Sequence, residues 1–125
     1  MENWEKKDLL KELENFSGTY DYYLSTFKKL KLTDGVNYLR NKVNCYWLID
    51  IVESVQHLKK IKENNEFILW KIEVDKDKKA IVKALTDSGG VGKLLYEQKL
   101  EYTDFPLDEF EFYQEGDVLL LKGEH

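Results

Sequence analysis

Among its 125 residues the chain has one cysteine, one proline, one methionine and two histidines. A lone Cys45 can form neither an intramolecular disulfide nor a cysteine-based metal cluster, which excludes a disulfide-stapled scaffold and fits a reducing compartment. His57 and His125 fall in no HExxH pattern, and no compact metal-ligand spacing is present. Neither a metal nor a cofactor is expected. No apolar run approaches the roughly 20 residues of a membrane span. The start, MENWEKKDLLKELENF, lacks the basic region, apolar run and small-residue cleavage site of a secretory signal. A cytoplasmic protein that does not contact membrane is expected.

The chain is 42% hydrophobic and 14% aromatic, enough for one core at this length, and the expectation is one domain over residues 1–125. The net charge of −5 repels phosphate backbones and disfavours direct nucleic-acid binding. Its distribution is uneven. From Glu97 to Asp117 there are eight acids (Glu97, Glu101, Asp104, Asp108, Glu109, Glu111, Glu115 and Asp117) against the single base Lys99, while Lys59 to Lys62 and Lys71 to Lys83 are locally basic.

Helical spacing dominates the first half. Trp4, Leu9, Leu10, Leu13 and Phe16 give one apolar stripe over Asn3 to Asn15, with Asn3 as a possible cap and a stop at Ser17 and Gly18. Thr19 to Phe27, TYDYYLSTF, reads as a short strand or an irregular aromatic segment. Thr33 or Asp34 can cap the next helix, and Gly35 relieves crowding in its first turn. Val36, Leu39 and Val43 form its inward face, and Asn44 marks a bend. Leu48, Ile51, Val52, Val55, Leu58 and Ile61 then predict a second helix from Cys45 to about Lys62, with Tyr46, Trp47 and Ile49 making its first turns apolar on other faces as well.

After Asn65 the period changes to two. Phe67 to Val74 alternates as a strand, Asp75 to Lys79 turns, and Lys79 to Thr86 returns. A second turn at Asp87 to Gly90 leads to a strand from Leu94 to Tyr102. Pro106 interrupts, Leu107 to Tyr113 re-enters, and Glu111 to Lys122 closes as a hairpin with Glu115 and Gly116 at its turn. The predicted fold is α+β: N-terminal helices, about residues 3–63, packed on a four- or five-stranded, largely antiparallel sheet spanning about residues 66–122.

Few residues invite chemistry. Gly89, Gly90, Gly92 and Lys93 resemble a phosphate loop in composition, but Leu94 stands where a Walker motif needs Ser or Thr, and the following pattern is strand-like; an ordinary turn is expected. His57 reads as a partly exposed helix residue and Cys45 as a small buried hydrophobe. Asp50 is the candidate acid or base, because the apolar residues around it would raise its pKa if it pointed inward; the competing reading is a solvent-facing or structural role. Asp34 is the second catalytic candidate and, alternatively, a cap. Glu109 and Glu111, in the acid-rich stretch, are candidates for binding a protein partner, including a basic one for which carboxylates imitate phosphates.

Five segments carry a resemblance: FSGTYDYY from Phe16, LTDGVNYL from Leu32, CYWLID from Cys45, EYTDFPLDE from Glu101 and EGDVLLL from Glu115. In this order they resemble a family of small uncharacterised bacterial and mobile-element proteins, a domain of unknown function. The resemblance implies a bacterial or phage-related cytoplasmic protein and transfers no catalytic set. Where the family pattern places a basic or histidine-containing stretch after the aromatic pair, this chain has Leu24 and Ser25 after Tyr22 and Tyr23, which puts any role of that stretch in doubt here. The sequence therefore points to a non-enzymatic interaction or accessory protein. A small carboxylate-dependent enzyme and an acidic nucleic-acid mimic are the alternatives. A deep pocket lined by Asp34, Asp50 and aromatics would favour the enzyme, and a flat acidic or apolar patch would favour binding.

Overall fold

A computed structural model describes residues 3–86 and 92–125, with side chains from residue 6 onward. The turn at Asp87 to Gly90, most of the glycine-rich segment and the Asn3 cap lie outside the described backbone and side chains. Helix α1 spans Asn3–Glu14 and buries Leu9 and Leu13. Strands β1 (Tyr23–Leu24) and β2 (Lys31–Leu32) bracket a tight loop. Helix α2 (Asp34–Lys42) follows, capped by the Thr33 hydroxyl, which accepts the Val36 amide. It ends on Asn44, whose positive φ of 56° lets the Cys45 amide reach back to the Arg40 carbonyl at 3.0 Å.

The predicted helix from Cys45 to Lys62 is two helices, α3 (Tyr46–Ser54) and α4 (Lys59–Glu63). Neither proline nor glycine breaks it. The Gln56 side chain donates to the Val52 carbonyl at 2.9 Å, the acceptor that a continuing helix would offer to the Gln56 amide, and that amide bonds Glu53 instead. The same Gln56 side chain exchanges two hydrogen bonds with Gln114 in the sheet. A contact remote in sequence thus fixes the break. His57 sits exposed in the resulting turn.

The long strands are β3 (Ile68–Val74), β4 (Ala80–Leu85), β5 (Leu94–Leu100), β6 (Glu109–Glu115) and β7 (Val118–Leu121). With β1 and β2 they form one seven-stranded sheet in the order β1-β2-β7-β6-β3-β4-β5. All neighbours are antiparallel except β2 with β7. The sheet exceeds the expected four or five strands because two short pieces of the helical half pair with its end. The closing turn lies at Gly116 and Asp117, one residue later than the sequence suggests, with Gly116 at φ 63°; such two-residue turns favour a glycine first.

Helices and sheet share one core, in which Trp70, Ile72, Val82, Phe112 and Leu119 meet Leu39, Leu48, Ile49, Val52 and Ile61. Burying each large apolar side chain stabilises by about 2 kcal/mol. Trp70 is 0% exposed, and its indole nitrogen donates to Gln114 at 3.0 Å, so its one polar atom is satisfied. The connection from β5 to β6 passes the ends of β4 and β3 and fills that end of the core with Phe105 and Leu107; the Phe105 ring meets Trp47 edge-on at 6.3 Å. This explains the FPL segment in packing terms. Among the described residues no helix is long and apolar enough to cross a membrane.

Candidate functional site: a carboxylate-pinned aromatic loop

The segment from Thr19 to Lys29 has little regular structure, and three carboxylates from α2 and α3 hold it. Asp34 accepts the Tyr20 amide at 2.9 Å, while the Thr19 hydroxyl accepts the Asp34 amide at 2.9 Å. Asp50 accepts the Thr26 hydroxyl at 2.7 Å. Glu53 lies deepest, 1% exposed, and accepts the Ser25 hydroxyl together with the amides of Phe27 at 2.9 Å and Lys29 at 3.0 Å. Burial raises the Glu53 pKa, but the Ser25 hydroxyl, the two amides and the Lys29 charge outweigh it and hold the carboxyl below its ordinary value. A buried charge is tolerable when so bonded. Ser25 in turn accepts the Leu30 amide, and Lys28 adopts a φ of 64° to close the turn.

With its backbone tied inward, this loop directs its large side chains outward. Tyr20 is 98% exposed, Phe27 72%, Tyr22 58% and Leu24 52%. Arg40 donates to the Leu24 carbonyl at 3.3 Å and to Asn37 at 2.9 Å, and its guanidinium lies 4.8 Å from the centre of the Tyr46 ring, which extends the exposed surface onto α3. The Tyr23 phenol is pushed up by desolvation and then by the charges of Asp34 and Asp21.

The two catalytic candidates are therefore placed at this loop but are not brought together. Asp34 lines an open groove of about 520 Å³ with Phe16, Tyr23, Asn37, Tyr38, Asn41 and Lys42, and a second one of about 530 Å³ beside Tyr20. Asp50 lines neither of them. Asp50 is half-buried and not enclosed, since its face of α3 turns to the loop; the buried acid is Glu53. A signal for Glu53 was present in Ile49, four residues earlier on the same side of α3, whose apolar character marks a second buried face.

Glu109 and Glu111 stand on the opposite face of the sheet, among lysines. Lys71 lies 3.2 Å from Glu109 and 3.9 Å from Glu111, and Lys122 also bonds Glu111. Next to them Lys83 lies 2.9 Å from Glu73. The Lys83 hydrogen bond holds the Glu73 carboxyl below its ordinary value, and the Glu109 hydrogen bond holds the Lys71 ammonium above its own. Acids that lie close together in sequence are thus interleaved with bases from neighbouring segments.

The LTDG corner is held by the end of the chain. Glu124 accepts the Thr33 hydroxyl at 2.6 Å, the Gly35 amide at 3.1 Å and the Leu121 amide at 3.0 Å. A Cβ on Gly35 would lie 2.5 Å from both the Glu124 carboxylate and the Leu121 side chain, so the glycine permits this docking. His125 packs edge-on against Tyr113 and Phe67 and bonds Glu115 at 2.8 Å. Cys45 is buried, and burial pushes its thiol up to about 12, far from a reactive thiolate. Among the described residues no group of three or more His, Cys, Asp or Glu is placed to hold a metal ion.

No curated protein and no solved structure matches the chain. A family model does match, over residues 7–125, and four of the five resembling segments converge on the elements just described: the pinned loop, the capped corner, the α3 start and the closing hairpin. The chain belongs to DUF6876, a family of unknown function.

Proposed function

We propose that the chain is a non-enzymatic interaction or accessory protein, cytoplasmic and of bacterial or mobile-element origin, which binds a protein partner through the pinned aromatic loop. The observation that carries this reading is the combination in one segment of a locked backbone and exposed tyrosine and phenylalanine side chains. Folding has already ordered the loop, so binding would not have to. Tyr contributes large contact area with few rotatable bonds and is enriched among residues that dominate interfaces. Asp34 and Asp50 bond the loop at separate points, which favours a binding surface over a paired-carboxylate centre. The lysines beside Glu109 and Glu111 favour it over an acidic mimic.

Capture from a bacterial lysate by the native chain and by Tyr22→Ser/Phe27→Ser tests the reading. Both residues are exposed, so the variant keeps its fold. A partner retained by the native chain and lost from the variant is expected; equal capture by both overturns the assignment to this loop.

A further inference from the structure

The sheet ends on β5, a seven-residue strand without proline, and among the described residues no strand pairs with its outer side. The hydrogen-bond parity of that side follows from the ladder. The Asp75 amide donates to the Lys79 carbonyl at 2.9 Å, which makes this a hydrogen-bonded pair. In antiparallel ladders such pairs alternate. Ile81 and Lys83 therefore turn their backbone groups to β3, and Ala80, Val82 and Ala84 turn theirs to Leu100, Gln98 and Tyr96 of β5. Glu97 and Lys99 are left with amide and carbonyl facing outward, and both side chains are exposed.

We propose that two copies of the chain associate through this edge, their β5 strands pairing antiparallel about a twofold axis at Gln98 to continue the sheet from one copy into the other. A twofold axis must set outward residues against outward residues. An axis at Glu97 would oppose two glutamates, and one at Lys99 would oppose two lysines and set Glu97 against Glu101, arrangements that like charges disfavour. The axis at Gln98 sets Glu97 of each copy against Lys99 of the other, twice, and keeps residues 96–100 of both strands in register. It also brings Tyr96 opposite Leu100 on the core side. Edges that carry such unpaired backbone are otherwise aggregation-prone. This contact is separate from the aromatic loop.

Sedimentation of the full chain with two exposed-site variants decides the matter. The native chain is expected to show twice the monomer mass, and Glu97→Lys and Lys99→Glu alone to fall to the monomer, since each opposes like charges. Mixed in equal amounts, the two variants regain the doubled mass, because lysines of one then face glutamates of the other. The double variant Glu97→Lys/Lys99→Glu, which restores the pairing in reverse, is also expected to dimerise. A native chain that stays monomeric over the concentration range, single variants that still dimerise, or a mixture that does not associate would each overturn the proposal; unchanged circular dichroism confirms that the variants are folded.

Discussion

In the loop from Thr19 to Lys29, carboxylates bond backbone amides and hydroxyls while aromatic side chains face water. On the open face of the sheet, carboxylates bond lysines, and the apolar residues Leu69 and Leu120 are buried beside Tyr113. The difference lies in what each backbone can do for itself. Ladder partners satisfy the amides of a strand, which leaves its side chains free to pair with one another. Outside the short pairing of β1 with β2 the loop has no ladder, so side chains from α2 and α3 supply acceptors, and its largest side chains are left facing outward. The sheet's arrangement suits a solvated face, whereas the loop's leaves aromatic side chains available for contact.

Removing the deepest anchor should separate the two regions most. Glu53→Ala leaves two amides and a hydroxyl without an acceptor and is expected to lower stability by about 3 kcal/mol in chemical denaturation. The sheet should keep slow amide exchange while the loop loses it. Acid acts on the same contact. The folded pKa of Glu53 lies below its ordinary 4.5, so its contribution is present above that value and is lost as pH falls through the folded pKa. Stability should therefore fall less steeply below about pH 4.5 in Glu53→Gln than in the native chain; parallel curves would show that another group controls the acid limb.

Gly35→Ala should have an intermediate effect. Its Cβ displaces Glu124 from three donors at the capped corner, at a cost of about 1–2 kcal/mol in the same measurement. Glu124→Gln/Gly35→Ala should cost little beyond Gly35→Ala if the two share one mechanism. The smallest change is expected from Glu109→Gln on the open face, within about 0.5 kcal/mol, because its partner Lys71 keeps Glu111 and the Glu109 carboxylate is itself exposed. A loss as large as that of Glu53→Ala would erase the distinction between the two faces.

Much of the fold was legible. The three-and-four spacing of Leu9 and Leu13 and of Val36 and Leu39 gave their helices, and the alternation from Phe67 to Val74 gave β3, because side-chain direction follows backbone period directly. The break between α3 and α4 was illegible: Val55, Leu58 and Ile61 keep the helical period through it, and its cause is Gln114, 58 residues from Gln56. The candidate site was half legible. Asp34 and Asp50 do meet the aromatic segment, but Glu53, the buried anchor, and Glu124, the distant cap, bond to groups that sequence spacing cannot bring near.

By itself the sequence determined the helix-then-sheet order, the apolar faces and the absence of a thiol framework, all consequences of composition and local period. Only the tertiary structure decided which acids are paired with lysines, which hold a loop and which edge stays open. Those outcomes depend on distances between residues far apart in the chain, and electrostatic and hydrogen-bonding energies are set by distance and burial, which no one-dimensional pattern encodes.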